Sequence, residues 1–245
     1  MLRSVAELTR HLGHLIYPPA CLICRGCGDG TTPFRHGLCI ECHSAVTVDP
    51  HSACPRCAKT VGPYTNTANG CVECRGESFA FEQTIRLGLY DGKLRNAVLR
   101  MKSLDGEGLA ELLGRAFAET RAAAIAAEKI DVVVPIPLHW WRKWTRGYNQ
   151  SAAVAREIAS ELRVPFESRL LRRVRLTPQQ AQPTRAARQQ NVKGAFQVRR
   201  SANLTGRTVL LVDDVMTTGS TASEAARTLL AAGAERVVVA VLARR

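Results

Sequence analysis

Residues 208–234 read TVLLVDDVMTTGSTASEAARTLLAAGA, and three kinds of chemistry succeed one another along them. Val209, Leu210, Leu211 and Val212 form a short apolar run, the pattern of a parallel strand buried on both faces. Asp213 and Asp214 stand at its carboxyl end. A bend of small, hydroxylated residues comes next: Thr217, Thr218, Gly219, Ser220 and Thr221. Helical spacing then puts Ala222, Ala225, Ala226, Leu229 and Leu230 on one apolar side, and Gly233 is placed to stop the helix.

A bend that opens a helix presents unpaired backbone N–H groups and the positive end of the helix dipole, which together hold a phosphate. Gly219 lets the backbone turn and approach closely. The threonine and serine hydroxyls add donors. Two neighbouring carboxylates repel a phosphate but suit the hydroxyls of a sugar attached to it, or a magnesium ion beside it. The pattern describes a cradle for a ribose 5-phosphate at the end of a strand.

VLLVDDVMTTGST resembles the phosphoribosyl-pyrophosphate (PRPP) binding motif of type I phosphoribosyltransferases. That resemblance implies that Asp213 and Asp214 take the ribose 2- and 3-hydroxyls. It implies that Thr217, Thr218, Gly219, Ser220 and Thr221 take the 5-phosphate.

The 245-residue chain is long enough for one large domain or two modest ones, and its 46% hydrophobic content allows a real core. No stretch approaches the ~20 apolar residues of a membrane helix, so membrane insertion is not expected. Glu7, Arg10 and His11 interrupt any signal-peptide apolar region. Residues 1–20 read instead as a short amphipathic helix with Val5, Leu8, Leu12 and Leu15 on one side, ended by Pro18 and Pro19. A cytoplasmic location is the resulting expectation. The net charge is +13, and between Arg163 and Arg200 ten Lys or Arg stand against one acid, Glu167. Such an excess points to polyanionic partners or to a solvated basic face.

All nine cysteines lie between Cys21 and Cys74, and eight form C-x-x-C pairs: Cys21/Cys24, Cys39/Cys42, Cys54/Cys57 and Cys71/Cys74. Two such knuckles joined by a loop of thirteen or fourteen residues can place four thiolates around one zinc. The simplest partition is consecutive, two zinc ions in all; a cross-braced pairing is the alternative. Cys27 is left over, as a spare thiol or a replacement for Cys24. Structural zinc supplies folding free energy to a segment too small for its own core. The block could serve structure, protein docking or nucleic-acid contact.

Further along, Ile85–Tyr90 reads as a strand, and Leu94, Val98, Leu99 and Met101 suit a helix after it. A second helix runs from Leu109 toward Glu128. Lys102, between them, is either a solvated helix end or a phosphate contact. Asp131–Val134 is another buried strand, leading into a basic loop with Arg142, Lys143, Arg146, Gly147, Tyr148, Asn149 and Gln150. A loop leaving the carboxyl end of a parallel strand lies in the ligand crevice of an open α/β sheet, where Arg142 and Arg146 could hold a pyrophosphate. Trp140, Trp141 and Trp144 could pack on the sheet edge or stack a base. Leu170–Val174 reads as a third strand. Thr177–Gln190 reads as a mobile basic loop carrying Arg185 and Arg188, ahead of Lys193, and able to close over a leaving group. Arg236–Leu242 is the final strand.

Taken together, the C-x-x-C pairs, VVPIPL…RGYNQ, the segment of Arg188, Asn191, Gly194, Ala195 and Phe196, and VDDVMTTGST resemble the ComF family of competence-associated proteins. The resemblance implies a type I phosphoribosyltransferase-like α/β fold, an open and mainly parallel sheet flanked by helices. It places that fold at 79–245, behind a double zinc-ribbon module at 21–78. It implies PRPP with Mg2+ as ligand and association with DNA uptake, with single-stranded DNA and competence-machinery proteins as partners. The enzymatic reading assigns Asp213, Asp214, Arg185 and Arg188 to catalysis of phosphoribosyl transfer. The alternative is a non-catalytic protein that handles single-stranded DNA or senses PRPP.

Overall fold

A computed structural model of the protein describes residues 20–26, 34–139, 144–175, 185–199 and 203–245. In chain order the elements are β1 (Phe34–Arg35), β2 (Leu38–Cys39), α1 (Ile40–Thr47), β3 (Gln83–Leu89), α2 (Gly92–Arg100), α3 (Glu107–Ala126), β4 (Val132–Pro135), α4 (Gln150–Leu162), β5 (Leu171–Arg173), α5 (Arg185–Val192), β6 (Phe196–Val198), β7 (Thr208–Met216), α6 (Ser220–Ala231) and β8 (Arg236–Arg244). The expected helix over the first residues, Cys27, and Trp140 to Lys143 with Arg142 lie outside the described residues.

The main sheet has the order β3-β8-β7-β4, every neighbouring pair parallel. β4, β7 and β8 carry continuous apolar runs because both of their faces are covered, whereas β3, at the edge, mixes Gln83, Thr84 and Arg86 with apolar residues. Val133, Leu210, Val212, Val238, Ala240 and Leu242 point into one core with α2, α3 and α4. Val132, Val134, Val209, Leu211, Val237 and Val239 point into the other, beneath α6. On the first face α3 and α4 approach closely. A Cβ at Gly114 would lie 2.8 Å from the Val154 carbonyl oxygen, so only glycine permits that approach.

β7 runs further than its apolar residues suggest. It continues through both aspartates to Met216, because β8 offers a parallel partner as far as Arg244 (Asp213 opposite Val241, Met216 opposite Arg244). Leu171–Arg173 is a strand, but not of the main sheet. It pairs antiparallel with β6, and this ribbon buries Leu170, Leu171, Ala195 and Phe196 against the α6 side. The described part of the polar segment expected as a loop is helical. Arg185 to Gln190 begin α5, and the turn just past α5 is tied to α6 where the Gly194 N–H donates to Glu224 Oε1 at 2.7 Å.

The cysteine-rich region folds as two units. In the first, Cys21, Cys39 and Cys42 join the core beneath α2 and α3, and Arg100 donates to the carbonyls of Leu22 and Ile23 at 2.7 and 2.8 Å. The second packs beside β3, at the edge of the sheet. Thr84 N–H donates to the Pro55 carbonyl at 2.8 Å. The buried Arg86 pairs with Asp49 at 2.7 Å and donates to the Ala58 carbonyl at 2.6 Å. Among the described residues no helix is long and apolar enough to cross a membrane.

Candidate functional site

β4 and β7 are sheet neighbours, so the segment leaving β4 comes up against the carboxyl end of β7. That adjacency builds the site. Asp213 Oδ1 accepts from Ser151 Oγ at 3.1 Å, from the first turn of α4. Asp214 Oδ2 accepts from Gln150 Nε2 at 3.2 Å and pairs with Lys102 Nζ at 2.9 Å. Its other oxygen accepts from the Val215 N–H at 2.8 Å. The segment feeding α4 is fixed in turn. Asn149 caps the helix through the Ser151 N–H and donates to the Ile136 carbonyl at 3.1 Å. Arg146 donates to Gln150 Oε1 at 3.4 Å, and the Tyr148 hydroxyl donates to the Met101 carbonyl beside Lys102.

The two acids therefore differ. Burial alone would raise Asp214, but the Lys102 ammonium and the Gln150 amide hold it below the usual carboxylate range. Burial, and then the charge of Asp214 next to it, push Asp213 up to about 8. The pair is thus asymmetric, with the negative charge favoured on Asp214 and the proton on Asp213.

Beyond Met216 the chain turns through Gly219, whose φ of +79° is the left-handed region that glycine tolerates. Gly219 is the N-cap of α6. The Thr218 and Ser220 hydroxyls lie 2.9 Å apart, and the Ser220 N–H reaches Thr218 Oγ1 at 3.4 Å. The N–H groups of Gly219 and Thr221 have no hydrogen-bond partner among the described residues. A bend with left-handed glycine, two hydroxyls and open amides at the positive end of a twelve-residue helix has the features that favour an anion.

Of the remaining expected ligand residues, Arg146 stands within this network. Arg188 is half-buried on α5 and Lys193 is exposed just past it. Arg185 opens α5. Sequence reasoning misses the acids' own partners. Lys102, expected as a solvated helix end or a phosphate contact, pairs with Asp214 as its counter-ion. Ser151 carries no signal of its own. Gln150 closes the RGYNQ segment and Ser151 directly succeeds it, so their position on the loop leaving β4 is the accessible signal.

The thiols settle their own partition. Cys21, Cys24, Cys39 and Cys42 form one cluster, and Cys54, Cys57, Cys71 and Cys74 the other, the sulfurs of each lying within 4.8 Å of one another. This is the consecutive arrangement. Four sulfurs at ~2.3 Å from a tetrahedral zinc are ~3.8 Å apart, against ~2.0 Å in a disulfide. The separations of Cys54–Cys74 (3.7 Å), Cys57–Cys71 (3.5 Å), Cys71–Cys74 (3.7 Å) and Cys24–Cys39 (3.9 Å) match the zinc tetrahedron. N–H groups of Ile23 and Cys42 point at the sulfurs of Cys21 and Cys39, as suits thiolate ligands. The two four-cysteine clusters fit two structural zinc ions.

Sheet, acid pair and bend define a phosphoribosyltransferase-like protein, and residues 104–245 match the phosphoribosyl transferase domain family. Competence protein F of Haemophilus influenzae is 29% identical over 228 residues, 91% of this chain and 96% of that protein. DNA utilization protein YhgH of Salmonella typhimurium is 30% identical over 234 residues, covering 94% and 99%. Among solved structures, glutamine PRPP amidotransferase from B. subtilis aligns over 56% of this chain and 27% of its own, with 26% identity and a TM-score of 0.37, too low to argue from. The chain belongs to the ComF family.

Proposed function

We propose that this protein binds PRPP, with the 5-phosphate in the bend Thr217–Thr221 and the ribose hydroxyls on Asp213 and Asp214. The observation that carries the reading is the acid pair set directly before a left-handed glycine bend with open amides. Arg142 and Arg146, on the loop after β4, hold the pyrophosphate, and Arg185, Arg188 and Lys193 close over it from the α5 segment. Mg2+ bound with PRPP supplies further charge neutralisation, and the two carboxylates are the hard oxygen donors that suit it. In phosphoribosyl transfer a nucleophile attacks C1 of the ribose and pyrophosphate leaves. Catalysis is then mainly positioning and stabilisation of charge. The names of the relatives, a competence protein and DNA utilization proteins, support a role in DNA uptake inside the cell, with competence proteins as partners.

A second reading rests on the exposed arginines Arg169, Arg172, Arg175 and Arg199 on and beside the β5–β6 ribbon. These supply a backbone-binding surface for single-stranded DNA, with PRPP as a sensed ligand rather than a substrate. One pair of assays separates the two. The enzymatic reading expects acceptor-dependent pyrophosphate release that disappears in D213A/D214A. The DNA reading expects oligonucleotide binding that weakens steeply with salt, survives D213A/D214A, and falls when the ribbon arginines are neutralised.

A further inference from the structure

The second four-cysteine cluster does more than fold its own loop. It is joined to the phosphate bend by one buried side chain. Arg244, at the end of β8 and 4% exposed, donates from Nε to the carbonyl of Cys57 at 2.8 Å. From Nη1 it donates to the carbonyls of Met216 at 2.9 Å, Thr217 and Arg245. Cys57 is a cluster thiol; Met216 and Thr217 lead into the bend. A second contact runs alongside. Phe79, just past the cluster, lies where a Cβ on Gly219 would meet its Cε1 at 3.0 Å. It stacks on Phe81 at 4.7 Å and lies beneath the Arg56 guanidinium. Arg56 itself donates to the carbonyls of Cys74 and Glu77. Ala80 N–H donates to Ser223 Oγ, in the first turn of α6, at 3.1 Å.

We propose that Arg244 is a positioning residue for the phosphate-binding bend, and that through it the zinc at Cys54, Cys57, Cys71 and Cys74 sets the affinity of that bend for its ligand. The proposal rests on the reading of the bend as a phosphate cradle. Open amides bind a phosphate well only if they are held in place beforehand. Carbonyls anchored from behind the bend supply that order. A guanidinium can bond several carbonyls from one rigid plane, which an ammonium on a flexible stem cannot. The first four-cysteine cluster packs into the opposite core, beneath α2 and α3, and has no such bond to the bend among the described residues.

The test uses the full chain carrying both zinc ions. R244M keeps the apolar stem and removes the donors; R244K keeps the charge. Amide exchange in residues 216–221 is expected to quicken about tenfold or more in R244M, with two zinc ions retained and residues 39–47 unchanged. Affinity for Mg2+–PRPP is expected to fall about tenfold, with partial recovery in R244K. Coupling is reciprocal, so on the unmodified chain saturating Mg2+–PRPP is expected to slow release of one zinc, not both, to a chelator. This arm decides if R244M does not fold. Wild-type exchange and affinity in folded R244M, or zinc release indifferent to bound PRPP, overturns the proposal while leaving the cradle standing. Faster exchange of the bend in R244M, in a chain that binds no PRPP, sinks the cradle and leaves the strut.

Discussion

Gly219→Ala is the sharpest single perturbation of the site. Two independent costs are visible. The backbone there has φ +79°, and holding an alanine in the left-handed region costs about 1–2 kcal/mol. The new methyl would sit 3.0 Å from Phe79 Cε1 and 3.4 Å from its Cζ. Pushing a stacked ring aside adds about 1 kcal/mol, the low end of overpacking costs. The sum of about 2–3 kcal/mol lowers the melting temperature by roughly 4–12 °C in a chain of this size. PRPP affinity should fall further than stability, because the strain is relieved by moving the amides that hold the phosphate. Scanning calorimetry of wild type, G219A, F79L and the double variant separates the terms. F79L should return the packing part and leave the backbone part. A G219A protein that melts within about 1 °C of wild type, far inside the expected shift, and binds PRPP equally well would refute the reasoning.

Replacing Lys102 with Met leaves Asp214 without its cation. Stability at pH 7 should drop by about 1–3 kcal/mol, less than for a fully buried pair because about a quarter of the lysine side chain is in solvent, as denaturant titration would show. Asp213 is raised to about 8 in the folded state, against about 3.9 for a free carboxyl. The folded state therefore holds a proton that the unfolded state has lost, and the stability contributed is complete below about pH 4 and lost as pH climbs through about 8. The melting temperature of wild type should fall more steeply than that of D213N between about pH 5 and pH 8; parallel curves would contradict the assignment. Metal analysis should find two zinc ions per chain, with C39S and C57S each retaining one, where a cross-braced pairing would couple the two losses.

The strand–acid–bend–helix unit was legible because each part has local chemistry: an apolar run, paired carboxylates, a glycine bend, an alanine stripe. The cysteine pairs were equally plain, yet their partition needed distances, since spacing alone permits both pairings. What escaped was non-local. Lys102 is far from Asp214 in sequence and touches it only because the turn after α2 reaches the end of β7. Ser151 meets Asp213 because β4 and β7 are sheet neighbours. Leu171–Arg173 carried a strand's composition without any indication that its partner was β6 rather than the central sheet. Arg185–Gln190 looked too polar to pack, yet it forms the first part of α5, and the turn just past that helix is tied to α6 by the Gly194 N–H.

Isothermal titration of the zinc-loaded chain with PRPP and Mg2+, beside D213A/D214A, bears most directly on the site. One PRPP per chain, with the heat abolished by the double substitution, is the predicted result. A flat titration with the unaltered, folded protein, or equal binding by the variant lacking both carboxylates, would contradict it.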